Sequence, residues 1–105
     1  MLDDLAEQLH MTAVEKGFWP EDVDDIFITK QLMMIVSEAV EVMEAIRKDK
    51  GEEEIADEMA DIIIRTLDLY AGLVDNGYTR LSLDHAFEKK TSFNKTRPER
   101  HGVKF

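Results

Sequence analysis

Two pairs of acids have the most informative spacing in this chain of 105 residues. Glu38-x-x-Glu41 and Glu58-x-x-Asp61 are each spaced i, i+3, so on a helix both carboxylates of a pair share one face. Cations on the same helix do little to offset them. Four residues beyond Glu38, Glu41 and Glu58 stand Val42, Ala45 and Ile62, and only Asp61 has a base there, Arg65. Four like charges gathered in a partly dry site repel by several kcal/mol, on the order set by Coulomb's law at reduced dielectric. A hard divalent cation removes that repulsion, and ligation by oxygen alone suits Mg²⁺ or Mn²⁺ over zinc or copper. The competing expectation is a set of solvated acids that only keeps the protein soluble.

Charge is divided along the chain. The formal net charge is -10, from 23 acids and 13 bases. Residues 1–88 hold 22 acids and seven bases, whereas residues 89–105 hold six bases and one acid. The acidic body repels nucleic acid and anionic lipid, while the basic tail suits an anion. Lys90, Asn94 and Arg97 fall at i, i+4 and i+7, one face of a helix that continues to Arg97. Arg offers a planar fork for phosphate, Lys a point charge, and Asn a partner for phosphate, sugar or base edge. An ordinary helix end attracting bases through its dipole explains the same residues.

Hydrophobic periodicity predicts the elements that carry these groups. Leu2, Leu5, Leu9 and Ala13 mark a first helix from Leu2 to about Lys16, stopped by Gly17. Asp22, Asp24 and Asp25 supply caps or first-turn acids for a second, from about Ile26 to Lys48, with Ile28, Leu32, Ile35, Ala39, Val42 and Ile46 inward. After Asp49-Lys50-Gly51, a third runs from Glu52 to about Asp75, with Ile55, Met59, Ile62, Thr66, Leu69 and Leu73 inward. A fourth begins near Ser82, turns Leu83, Ala86 and Phe87 inward, and is bounded by Pro98. The short break makes the second and third helices antiparallel neighbours. Glu38 and Asp61 then lie equally far from the loop midpoint, as do Glu41 and Glu58, so all four carboxylates can meet in the groove between the two helices.

The expected fold is all-α: one domain over residues 1–105, a bundle of four to five helices around a central antiparallel hairpin. Apolar residues circle the third helix, where Ile63, Ile64, Leu67 and Tyr70 add to its inward stripe. A chain this small has too few other elements to cover them, which predicts at least a homodimer. The absence of cysteine excludes disulfides, thiolate zinc and thiol catalysis. No apolar run reaches the ~20 residues of a membrane span. Acids near Met1, where a secretory signal carries bases, point to a cytoplasmic protein.

Lesser candidates surround the acids. Trp19, after Phe18 in an irregular link, can stack on a nucleobase or pack its loop against a helix. His10 completes Glu7-x-x-His10, but a di-iron bundle requires that motif on two helices and no second copy exists, which leaves a surface or core histidine. Glu52-Glu53-Glu54 suits a helix N-terminus, with Glu54 on the flank of Glu58. Met33, Met34, Met43 and Met59 suit core or interface packing.

Glu38-x-x-Glu41, sixteen intervening residues, then Glu58-x-x-Asp61 resembles the ExxE…ExxD signature of the MazG-like nucleoside triphosphate pyrophosphohydrolases, part of the all-α NTP pyrophosphatase superfamily. The ending Lys90-x-x-x-Asn94-x-x-Arg97-Pro98-x-Arg100-His101-Gly102 is similar to the tail of small single-domain members. The resemblance implies hydrolysis of a nucleoside triphosphate between its α and β phosphates, giving monophosphate and pyrophosphate. It implies Mg²⁺ held by Glu38, Glu41, Glu58 and Asp61, with Lys90, Asn94 and Arg97 on the nucleotide. It also implies dimers or tetramers whose bundles are completed across subunits. Glu38 or Glu41 is the best placed general base, since no other titratable cluster exists. Lys90 and Arg97 would offset charge on the transferring group and leaving pyrophosphate. No Walker lysine loop is present, so triphosphate chemistry here relies on a metal. Two other readings fit the sequence: a non-catalytic acidic helical interaction module, and a related phosphoribosyl-nucleotide or dimeric nucleoside diphosphate-forming hydrolase.

Overall fold

The computed structural model describes residues 1–98, so Arg100, His101 and Gly102 lie outside the described residues. It contains four helices: α1 (Leu2–Glu15), α2 (Asp25–Arg47), α3 (Glu52–Asp75) and α4 (Leu83–Thr96). Among the described residues there is no strand. The boundaries have local causes. The Asp24 carboxylate accepts from the Phe27 N–H at 2.8 Å and caps α2. Gly51, at φ +99, makes the turn into α3, where L side chains are strained. Glu52, Glu53 and Glu54 then place negative charge in the first turn of α3.

The end of α4 corrects one expectation. Arg97 does not continue the helix: its backbone is extended at φ -76, ψ 144. It precedes Pro98, whose ring disfavours helical backbone at the preceding residue. Lys90 and Asn94 therefore share a helical face that Arg97 does not extend.

The hairpin of α2 and α3 forms as the short loop requires, but α3 is the hub of the fold. Both α1 and α2 pack along α3, while α4 leans on α1. Small residues permit the close approach. Ala6, Ala13 and Ala45 are buried with Ile28, Leu67 and Leu69, and buried Gly72 faces the Trp19 ring. A Cβ built at residue 72 would lie 2.1 Å from the indole, so only glycine fits beneath it.

The start of α4 is fixed by an exchange of carboxylates. Asp3 accepts from Ser82 Oγ and from the Leu83 and Asp84 N–H groups at the start of α4. Asp84 in turn accepts from the Met1 amino group and the Leu2 and Asp3 N–H groups at the start of α1. Each helix thus caps the other. The Met1 amino group and these backbone donors hold the Asp84 carboxyl far below the usual carboxylate range.

Packing of the large side chains departs from the expected inward stripes. Leu32, Ala39, Ile46, Met59, Thr66 and Phe87 are exposed, and Ile46 is 60% accessible. Periodicity identifies an apolar face but not whether its partner lies within the same chain. The accessible surface is 8273 Å², against about 6,000 Å² for a compact monomer of this mass.

Gly72→Ala should cost about 1–3 kcal/mol by overpacking against Trp19, measured by urea denaturation followed by circular dichroism. Because the folded pKa of Asp84 is depressed, its contribution to stability is complete above the unfolded value and is lost as pH falls from about 4. The melting-temperature deficit of Asp84→Asn should therefore be full at pH 7 and shrink towards pH 3.

Candidate metal centre and its surroundings

The antiparallel register brings three acids together. Glu38 on α2 and Glu58 and Asp61 on α3 each offer an oxygen within 4.8 Å of the others. Glu38 and Glu58 are half-buried and Asp61 is exposed. The spread approaches twice a metal–oxygen distance of about 2.1–2.4 Å, so small side-chain rotations would bring the three onto one hard cation. Glu41, one turn along α2, is exposed and stands outside this trio, but its charge reaches Glu58.

The electrostatics fit a cation. The Glu58 carboxyl is pushed above its usual range by desolvation, then by the negative charges of Asp61, Glu38, Glu41 and Glu54. All candidate ligands are carboxylates, the donor set that Mg²⁺ and Mn²⁺ favour.

The one base spaced to serve the acids along a helix turns to another partner. Arg65, one turn beyond Asp61, donates its Nε–H to Glu38 Oε1 at 3.0 Å across the groove. Spacing along α3 sets Arg65 one turn from Asp61, but its bond to Glu38 depends on the register between α2 and α3, which spacing within one helix does not give. Beside the trio opens a cavity of about 310 Å³, lined by Leu9, Ala13, Phe18 and Ile64 with Glu38, Asp61, Arg65 and Asp68. Phe18, 65% exposed, stands at this cavity, a position its loop sequence did not reveal.

Trp19 is engaged within the fold. Its indole N–H donates to Asp68 at 3.1 Å, and its ring meets the His10 imidazole edge-on and tilts against Phe27. Its position matches the loop-packing alternative. His10 is buried; its Nδ1 lies 2.8 Å from Asp68, and its Nε2 lies 3.4 Å from Asp75. This group of side chains pins the link containing Phe18 to α3.

Lys90, Asn94 and Arg97 are not among the residues lining the cavity or forming the trio. Lys90 and Asn94 are exposed on α4, and Arg97 is half-buried just beyond it. The Lys90 Nζ and the Arg97 guanidinium lie 6.0 and 5.3 Å from the Phe93 ring centre.

Searches of curated proteins and of solved structures give no match. The family model described as the MazG nucleotide pyrophosphohydrolase domain matches residues 28–101, a span that contains both acid pairs, the hairpin and α4. With well over half of its length matched and an all-helical architecture around the acids, the chain belongs to the MazG nucleotide pyrophosphohydrolase family.

Proposed function

We propose that this protein hydrolyses a nucleoside triphosphate, in particular a deoxynucleoside triphosphate, to the monophosphate and pyrophosphate. The convergence of Glu38, Glu58 and Asp61 carries this reading. Mg²⁺, or Mn²⁺ in its place, is held by these three and by Glu41 after a rotamer change. When bound, the cation supplies charge neutralisation for the triphosphate and acidifies water. Glu38 or Glu41 accepts the proton of the attacking water. The cavity beside the trio receives part of the nucleoside against Phe18, and Trp19 acts through the loop it anchors. No helix among the described residues is long and apolar enough to cross a membrane. We infer a cytoplasmic protein, in keeping with the proposed nucleotide substrate.

Assembly as a homodimer or homotetramer completes the site. Met33, Val36, Val40 and Met43 on α2, with Met59 and Ile63 on α3, are large apolar side chains exposed on the hairpin. A second copy covers them, as obligate interfaces of more than about 2,000 Å² do. Assembly then brings the Lys90, Asn94 and Arg97 of one subunit to the acids of another, where they bind phosphate.

A nucleotide panel assayed with Mg²⁺ should release pyrophosphate; orthophosphate as the sole product would assign a different bond. Millimolar Mg²⁺ or Mn²⁺ should raise the melting temperature, since only the folded chain gathers the trio. No response, together with no turnover, would favour an acidic interaction module. Glu41→Gln and Glu58→Gln should each abolish turnover with helical content unchanged, and full activity in both would remove these residues from the site.

Ionised Glu58 disfavours the folded state, because its folded pKa is raised, and this effect is relieved as pH falls through that pKa. In EDTA at pH 7, Glu58→Gln should therefore melt at or above the wild type. That margin should close by about pH 4. Sedimentation equilibrium should give at least a dimer.

A further inference from the structure

Arg65 occupies a position that none of the roles above uses. Its Nε–H holds Glu38, whose side chain is only 14% exposed, while Arg65 itself is 38% exposed. A guanidinium has five N–H donors in a fixed fork. Among the described residues, the remaining four of Arg65 have no protein partner. The side chain also lines two hollows. One is the cavity it shares with Glu38, Asp61 and Phe18; the other is lined by Trp19, Lys30, Gln31, Met34 and Asp68. Arg65 thus combines one bond to a member of the acid trio with an open fork beside it.

These features have opposite consequences for two ligands. Against a bare divalent cation, Arg65 is a competitor, because it already neutralises Glu38 and adds like charge at the site. Against a triphosphate it is an attractor, since a guanidinium fork matches phosphate oxygens in pairs. A carboxylate oxygen facing Arg65 leaves the second oxygen of Glu38 for another partner.

We propose that Arg65 couples cation binding to triphosphate binding: it holds Glu38 in the empty site, so that free cation is taken up weakly, and offers its terminal N–H groups to a phosphate oxygen when the two ligands arrive together. This rests on the acids being a cation site, as proposed above. Arg65 is then a binding residue of the substrate pocket as well as a positioning residue for Glu38.

The test is a titration with Mn²⁺, free ion being followed by electron paramagnetic resonance, in the presence and absence of inorganic tripolyphosphate. Arg65→Gln should bind Mn²⁺ alone about fivefold more tightly, the scale of one partly screened charge. The same variant should bind tripolyphosphate with Mn²⁺ about tenfold more weakly, the scale of a lost charge-assisted hydrogen bond. Arg65→Lys should leave the first constant near wild type and weaken the second about threefold, because it retains the charge without the fork. Both constants unchanged, or both moving in the same direction, would overturn the coupling and leave Arg65 a structural residue. If Arg65→Gln does not fold, Arg65→Lys decides: a second constant equal to that of the wild type would overturn the coupling. A wild type that binds no Mn²⁺ under either condition would overturn the cation site itself, whereas Mn²⁺ bound identically by wild type and Arg65→Gln under both conditions would overturn only the role of Arg65.

Discussion

Mutual repulsion among carboxylates fixed at one height of a helical hairpin is the constraint around which this molecule is arranged. Helix geometry alone sets Glu58 beside Asp61; bringing Glu38 to them takes the packing of α2 against α3, each longer than 20 residues. At Glu58 the arrangement opposes folding, because desolvation and then the neighbouring negative charges raise its carboxyl above the usual range. A fold that retains such a cost gains most when a cation is present, and this links stability to ligand occupancy. Arg65 offsets part of the repulsion through a single bond to the half-buried Glu38.

The packing serves the same end. With α3 as hub, α2 carries one side of the acid site while α1 and the following link close the other. Trp19 lies over Gly72 with its N–H on Asp68, and His10 shares that carboxylate. The link bearing Phe18 is thereby held against the same helix that presents Asp61 and Arg65. Burial within the chain relies on alanine, glycine and a few larger residues, which keeps the helices close but leaves much apolar surface outward.

Much of this was legible in the sequence because it depends on local rules. Helix limits followed caps, glycines and proline to within a residue or two, and equal distance from a short loop placed Glu38 opposite Asp61. Glu41 was less legible, since equal height does not fix where a flexible side chain carries its oxygens. Arg97 was misplaced on the helix because an i+7 pattern ignores the backbone restriction imposed by Pro98. Leu32, Ile46, Met59 and Phe87 were assigned inward because a stripe shows hydrophobicity, not the identity of what covers it. The Arg65–Glu38 bond and the placement of Phe18 depend on contacts between separate elements, which spacing along one helix does not encode.

The reciprocal capping of α1 and α4 makes two short carboxylates the mount of a basic arm. Beyond its first turn α4 is largely exposed, so the direction in which Lys90 points is inherited from Asp3 and Asp84 at the opposite end of the helix. Aim and grip are thereby separated: one end of α4 carries the cationic groups, and the other decides where they are presented. Sequence drift at Asp3 would thus redirect this basic surface while leaving every residue of that surface unchanged.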